Sequence, residues 1–169
     1  MRTKLKLLAL SVVCAFLAGC AGMKSGLVLD TVGPIPGSSA PSTTGQGTLI
    51  VYSAYQVNAN FESQNPTRRQ HSDYKLLDQD KKPLERIHNV TGDIIQDALP
   101  VNLAPGKYFV VARSNGYGIV TVPVIIAADR KTVLHLDNGN RWPNGTAIDA
   151  SDAVQLPDGE IVGSRDTSP

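Results

Sequence analysis

Cys14 and Cys20 are the only thiols in the 169 residues, and a thiolate is the strongest nucleophile a side chain offers near neutral pH. Both stand in or at the end of the apolar N-terminal run, a setting of export and not of catalysis. The three histidines, His71, His88 and His135, show no HxH or HxxxH spacing, so a shared metal would depend on the fold to gather them. His88 and His135 alternate with Ile87 and Leu134 and are expected at solvent-facing strand positions, with His71 in a loop after Arg68-Arg69-Gln70. Asp78-Gln79-Asp80 and Asp149-Ala150-Ser151-Asp152 lack the Asp-x-Asp-x-Asp-Gly loop of an EF-hand and read as solvated turns. No serine lies in Gly-x-Ser-x-Gly, so no catalytic residue and no metal ligand is assigned. A carboxylate pair working through three-dimensional spacing stays open.

Aromatic side chains are the other route to chemistry, because Tyr and Trp on an exposed face stack on sugars or anchor peptides. Tyr55, Tyr117 and Trp142 are the candidate ligand contacts. Strand alternation puts Tyr52 and Tyr55 on opposite faces, so at most one of them shares a given layer.

The elements that would position these residues begin with a targeting segment. Arg2, Lys4 and Lys6 precede an apolar run from Leu7 to Leu17, the charged and hydrophobic regions of a secretory signal. The run is shorter than the roughly 20 residues needed to span a bilayer. It ends in Leu17-Ala18-Gly19-Cys20, which resembles the lipobox of bacterial lipoproteins. The resemblance implies cleavage between Gly19 and Cys20, a diacylglycerol thioether on the Cys20 sulfur, and a freed amine open to a third acyl chain. No other cofactor is expected. Each buried methylene adds about 0.8 kcal/mol of membrane affinity, so such an anchor releases slowly.

Processing also removes Cys14, leaving no thiol for a disulfide, a zinc site or catalysis. Three of the sixteen basic side chains go with residues 1–19 and none of the fifteen acidic ones, leaving thirteen against fifteen and a net charge of −2. Such a surface lacks the basic footprint of a nucleic-acid binder. Ala21, in place of an Asp retention residue, resembles the pattern for outer-membrane sorting where two membranes exist.

Residues 20–47 are dominated by Gly, Ser, Thr and Pro and read as a lipidated cysteine followed by a flexible spacer, with Leu27-Val28-Leu29 the one stretch able to pack on the domain. Residues 48–137 change to short Val-, Ile-, Tyr- and Thr-rich runs separated by Gly, Pro and Asn. The pattern predicts an all-β, single antiparallel β-sandwich of about seven strands. The runs are Thr48 to Val57, Ser72 to Asp78, Glu85 to Val90, Leu99 to Leu103, Lys107 to Ser114, Gly118 to Ala127 and Thr132 to Asp137, with one helical turn expected between Gly92 and Leu99. Pro123 has no amide proton for a ladder and argues for an edge or a bulge.

In Leu103-Ala104-Pro105-Gly106-Lys107-Tyr108-Phe109-Val110, proline presets the first turn position and glycine accepts the second, giving a type II turn with Tyr108 and Val110 aimed at the core. The stretch resembles the Leu-x-Pro-Gly-x-Tyr-x-Val segment of prealbumin-like modules, the transthyretin-like or carboxypeptidase-regulatory-like β-sandwiches of many exported bacterial proteins. Tyr74 to Asp78 with Lys82-Pro83-Leu84, and Val120 to Leu136, extend the resemblance. It implies a fold and no catalytic residues, since such modules serve as braces, spacers and binding units. Residues 138–169 are a turn-rich extension in which Asp158-Gly159 predicts a short hairpin over 153–163.

The expectation is therefore an exported lipoprotein, anchored to a membrane of the cell envelope, whose non-catalytic module binds or braces an envelope protein or glycan and not nucleic acid. A surface carbohydrate-binding module is the alternative, and an enzyme of unrecognised type the third. Clustering of His71, Tyr74 and two carboxylates in a deep pocket would favour the enzyme.

Overall fold

The computed structural model describes residues 26–39, 45–56, 70–89, 97–139, 142 and 148–165. The expected processing site at Gly19 and Cys20, the signal segment 1–19 and residues 92–96 of the expected helical turn lie outside them. Regular structure among the described residues is entirely β. In chain order the strands are β1 (Leu27–Val28), β2 (Gly47–Tyr52), β3 (Tyr74–Leu77), β4 (Pro83–Ile87), β5 (Val101–Leu103), β6 (Gly106–Ser114), β7 (Gly118–Ile126), β8 (Lys131–His135), β9 (Ala153–Gln155) and β10 (Ile161–Ser164). They form a five-stranded sheet in the order β1-β7-β6-β3-β4, a three-stranded sheet β5-β2-β8 and a two-stranded pair β10-β9.

The all-β expectation holds, but the sheets are mixed and not purely antiparallel. β2 runs parallel to β8, from Thr48↔Lys131 to Tyr52↔His135, and β1 runs parallel to β7. A parallel pair needs a long return connection, which the chain between β2 and β8 supplies. Local turn signals carry no record of such a pairing. The Ala104-Pro105 turn likewise joins no hairpin, because β5 pairs with β2 and β6 pairs with β3 and β7. It carries the chain from one sheet to the other, and the Tyr108 hydroxyl donates back to the Ala104 carbonyl at 3.0 Å.

Period-2 alternation explains the core. Leu49 and Val51 of β2, Leu76 of β3, Val110 and Ala112 of β6, Val120, Val122 and Val124 of β7 and Leu134 of β8 are buried in one apolar cluster shared by the larger two sheets. On the opposite face of β6, Lys107 and Arg113 are exposed, and Phe109 is covered by the ammonium groups of Lys81 and Lys107 at 5.3 and 5.7 Å from its ring centroid.

Residues 27–29 pack on the domain as the one exception allowed for, and the flexible-spacer expectation fails beyond them, over residues 30–35. Val32 and Ile35 are buried, and the segment lies along the outer side of β7: Leu29 N donates to Thr121 O, Val32 N to Pro123 O, and Ile125 N to Val32 O. β7 is therefore not an open edge. Backbone polar groups at positions 121, 123 and 125 all face the segment, and Pro123, the one without an N–H, falls where the segment steps from Leu29 to Val32. Sequence composition hid this because four apolar side chains suffice to dock a Gly/Pro-rich strand once a sheet edge is waiting for it.

The β9–β10 hairpin holds the other side of this segment. Gly33 N donates to Ser164 O at 2.8 Å, and Arg165 pairs with Asp30 at 3.1 Å. Gly163 is obligatory here: a Cβ on it would meet Val32 Cγ1 at 2.5 Å.

Candidate functional site

β2 and β8 end side by side, and beyond their ends five rings converge. Tyr52 and His135 are register partners, and their rings stack with centroids 4.4 Å apart at 3°. On the other side of Tyr52 lies His71, edge-on at 5.5 Å, which in turn stacks on Tyr55 at 4.7 Å. Trp142 meets His135 edge-on at 4.6 Å. Tyr52 and Tyr55 thus serve one cluster, against the expectation of opposite faces. The alternation stops at Tyr52, where β2 ends, and Tyr55 belongs to an isolated bridge with His71.

The histidines also depart from expectation. His135 is fully buried and His71 nearly so, whereas His88 is exposed as expected. His71 Nδ1 lies 2.6 Å from the Ser53 carbonyl, which can only accept, so Nδ1 carries the proton. Around this contact Ser53 Oγ donates to Ser72 O, and Asn89 Nδ2 donates to Val51 O at 2.7 Å, while Asn89 Oδ1 accepts from Leu99 N at 2.9 Å. A fully buried asparagine thereby satisfies backbone groups of two chain segments that no strand ladder reaches.

Asp137 is the hub on the other side. Its Oδ1 faces His135 Nδ1 at 3.4 Å and accepts from Gly139 N at 3.1 Å, while Oδ2 accepts from the Tyr55 hydroxyl at 3.3 Å. Asn115 Nδ2 donates to its carbonyl at 2.8 Å. A Cβ at Gly139 would press on the Asp137 carboxylate at 2.8 Å, so only glycine lets the backbone approach this closely. Burial pushes the Asp137 carboxyl up, but the His135 hydrogen bond, the neighbouring His135 and His71 imidazoles and the Gly139 amide outweigh it and hold the group below its ordinary 3.8.

The cluster opens on a shallow cleft of about 500 Å³ lined by Asn138, Trp142, Gly159, Glu160 and Ile161. The Glu160 carboxyl is pushed above its ordinary 4.5 by partial burial and by the charges of Asp158 and Asp137. Tyr117, at the β6–β7 turn, lies near Asp158, and desolvation followed by that carboxylate raises its hydroxyl pKa. Two of the three candidate contacts, Tyr55 and Trp142, therefore belong to one ring cluster, and Tyr117 reaches the β9–β10 turn beside it.

Tyr74 does not join them. It is buried in the core, its hydroxyl has no hydrogen-bond partner among the described residues, and burial raises its pKa well beyond the usual phenol range. The arrangement that would favour an enzyme, His71 with Tyr74 and two carboxylates, is thus not formed. Among the described residues no group of three His, Cys, Asp or Glu side chains could hold a metal ion. Asp78 closes a turn, its Oδ1 accepting from Asp80 N at 2.9 Å and Lys82 N at 2.8 Å.

The sequence reading missed His135 and Asp137 as a pair. The available signal was the His-x-Asp spacing at a strand end followed by Asn138-Gly139, a turn able to fold the carboxylate back onto the ring. No family model, no curated protein and no solved structure matches the chain.

Proposed function

We propose that this chain is a bacterial envelope lipoprotein, lipidated on Cys20, whose β-sandwich of the prealbumin-like kind binds or braces another envelope component without catalysis. The orders β7-β6-β3-β4 and β5-β2-β8 around one apolar core support the sandwich. The binding face is the cleft at Trp142, and the observation that carries it is the convergence of Tyr52, Tyr55, His71, His135 and Trp142 behind that cleft. Rigid, interlocked aromatics present contact area at little entropic cost, which is what a recognition surface needs.

In this reading the histidines are positioning groups. His71 is tied to a backbone carbonyl and His135 to Asp137, so both hold Tyr52 and Tyr55 in place. The outer membrane is the site of action where the organism has two. The test is capture of partners from intact cells by a photo-crosslinking residue at Asn138, an exposed position on the cleft. One specific adduct, lost with Trp142→Ala, is expected; adducts indistinguishable from those of a remote surface position would reject the reading.

A carbohydrate ligand is the second reading, favoured by Trp142 standing in one cleft with Asn138 and Glu160, an aromatic beside hydrogen-bonding groups. A glycan array with no signal above that of Trp142→Ala would reject it.

A further inference from the structure

The outer face of the five-stranded sheet holds a second polar centre. The register sets Lys75 beside Arg86 on one side and Val111 on the other, so Asp73, one pleat repeat earlier, falls between His88 and Arg113. Asp73 Oδ2 accepts from Arg86 Nε at 3.1 Å and pairs with Nη2 at 3.1 Å, while Oδ1 faces His88 Nδ1 at 2.9 Å. The lone carboxylate is thus committed to two partners. Arg113 lines the same depression, about 460 Å³ in volume, and its guanidinium has no hydrogen-bond or ion-pair partner among the described residues. An adjoining depression shares Asp73, Arg86 and Arg113 and adds Lys75.

Among the described residues, three permanently charged cations, Lys75, Arg86 and Arg113, thus lie around one carboxylate, a local excess of two positive charges. Each guanidinium carries a fork of donors, and Asp73 engages only one edge of Arg86. We propose that this depression binds a single anionic group, a carboxylate or a phosphate, gripped by Arg113 and Arg86, with Asp73 as the positioning residue that holds Arg86 and His88 in place. The site shares no residue with the Trp142 cleft and stands independently of the function proposed above.

The detergent-solubilised full-length protein, titrated at low salt with inorganic phosphate, acetate and glucuronate, tests this by calorimetry and by side-chain NMR of the arginine Nε groups. At least one anion is expected to bind saturably, with affinity reduced about tenfold or more in Arg113→Ala and partly recovered in Arg113→Lys. Tighter binding of phosphate identifies a phosphoryl-bearing ligand, and tighter binding of glucuronate an acidic sugar; both support the site. Because Arg113 is exposed, its variants are expected to fold, which far-UV circular dichroism checks. Absence of saturable binding for all three anions, or wild-type affinity in Arg113→Ala, overturns the proposal.

Discussion

Two aspartates in this molecule each face the Nδ1 of a histidine, and they do opposite work. Asp137 and His135 have side chains only 5% and 1% exposed, locked among Tyr55, Gly139 and Asn115. Asp73 and His88 are 20% and 77% exposed, on the rim of a charged depression. The same chemical pair thus belongs to the scaffold at one place and to the solvent at the other. Burial decides which: in a low dielectric an unpaired partner is costly to leave behind, whereas water re-solvates an exposed one.

The sharpest way to break this comparison is to truncate both acids. Asp137→Ala removes the buried acceptor of the Gly139 amide and of the Tyr55 hydroxyl, and is expected to cost about 2–4 kcal/mol of stability. Asp73→Ala is expected to cost under about 1 kcal/mol. Urea denaturation followed by tyrosine and tryptophan fluorescence measures both, and equal losses would erase the distinction.

Filling Gly163 probes the packing that holds the N-terminal segment beside the same scaffold. Gly163→Ala forces a methyl into Val32 and is expected to destabilise by about 1–3 kcal/mol, with faster amide exchange at Val32 and Gly33. Tyr74→Phe works in the other direction. It removes a buried hydroxyl that has no partner among the described residues, so a gain of about 1 kcal/mol is expected from the same denaturation experiment.

Acid titration separates the two regions further. The Asp137 carboxyl lies below its ordinary 3.8, so its contribution is fully present above that pH and is lost as pH falls through the lower folded value. Glu160 is displaced upward from 4.5, so the folded state binds its proton more tightly and stability falls as pH rises through the range above 4.5. Between them these two groups favour the folded state most between pH 3.8 and 4.5. Asp137→Asn is expected to flatten the acid limb and Glu160→Gln the upper one. The smallest effect belongs to Arg113→Ala, within about 0.5 kcal/mol of wild type despite its loss of anion binding.

Strand alternation made most of this fold legible. The seven runs between Thr48 and Asp137 all contain strands, and the inward positions Leu49, Val51, Val110 and Ala112 follow from period 2 alone. What it could not supply was partner choice. The parallel β2–β8 pair depends on residues some eighty positions apart, and its register is what brings Tyr52 against His135. The burial of His135 was illegible for the same reason: its alternation with Leu134 is real, but β8 has buried residues on both faces beyond Lys131. Trp142 and Tyr55 were readable as aromatic candidates, while the cluster joining them was written in chain ends and turns. The cationic depression was equally hidden, because Asp73, Arg86 and Arg113 meet only through the β4-β3-β6 order.

Everything proposed about location and partners depends on the sulfur of Cys20. Intact mass and membrane fractionation of the native protein beside Cys20→Ser test it most directly. The account predicts that the native chain begins at Cys20, carries the mass of a diacylglycerol and sediments with membranes, and that the variant loses both. A native chain that is soluble and without lipid would contradict the lipoprotein reading and point to an unanchored binding protein instead.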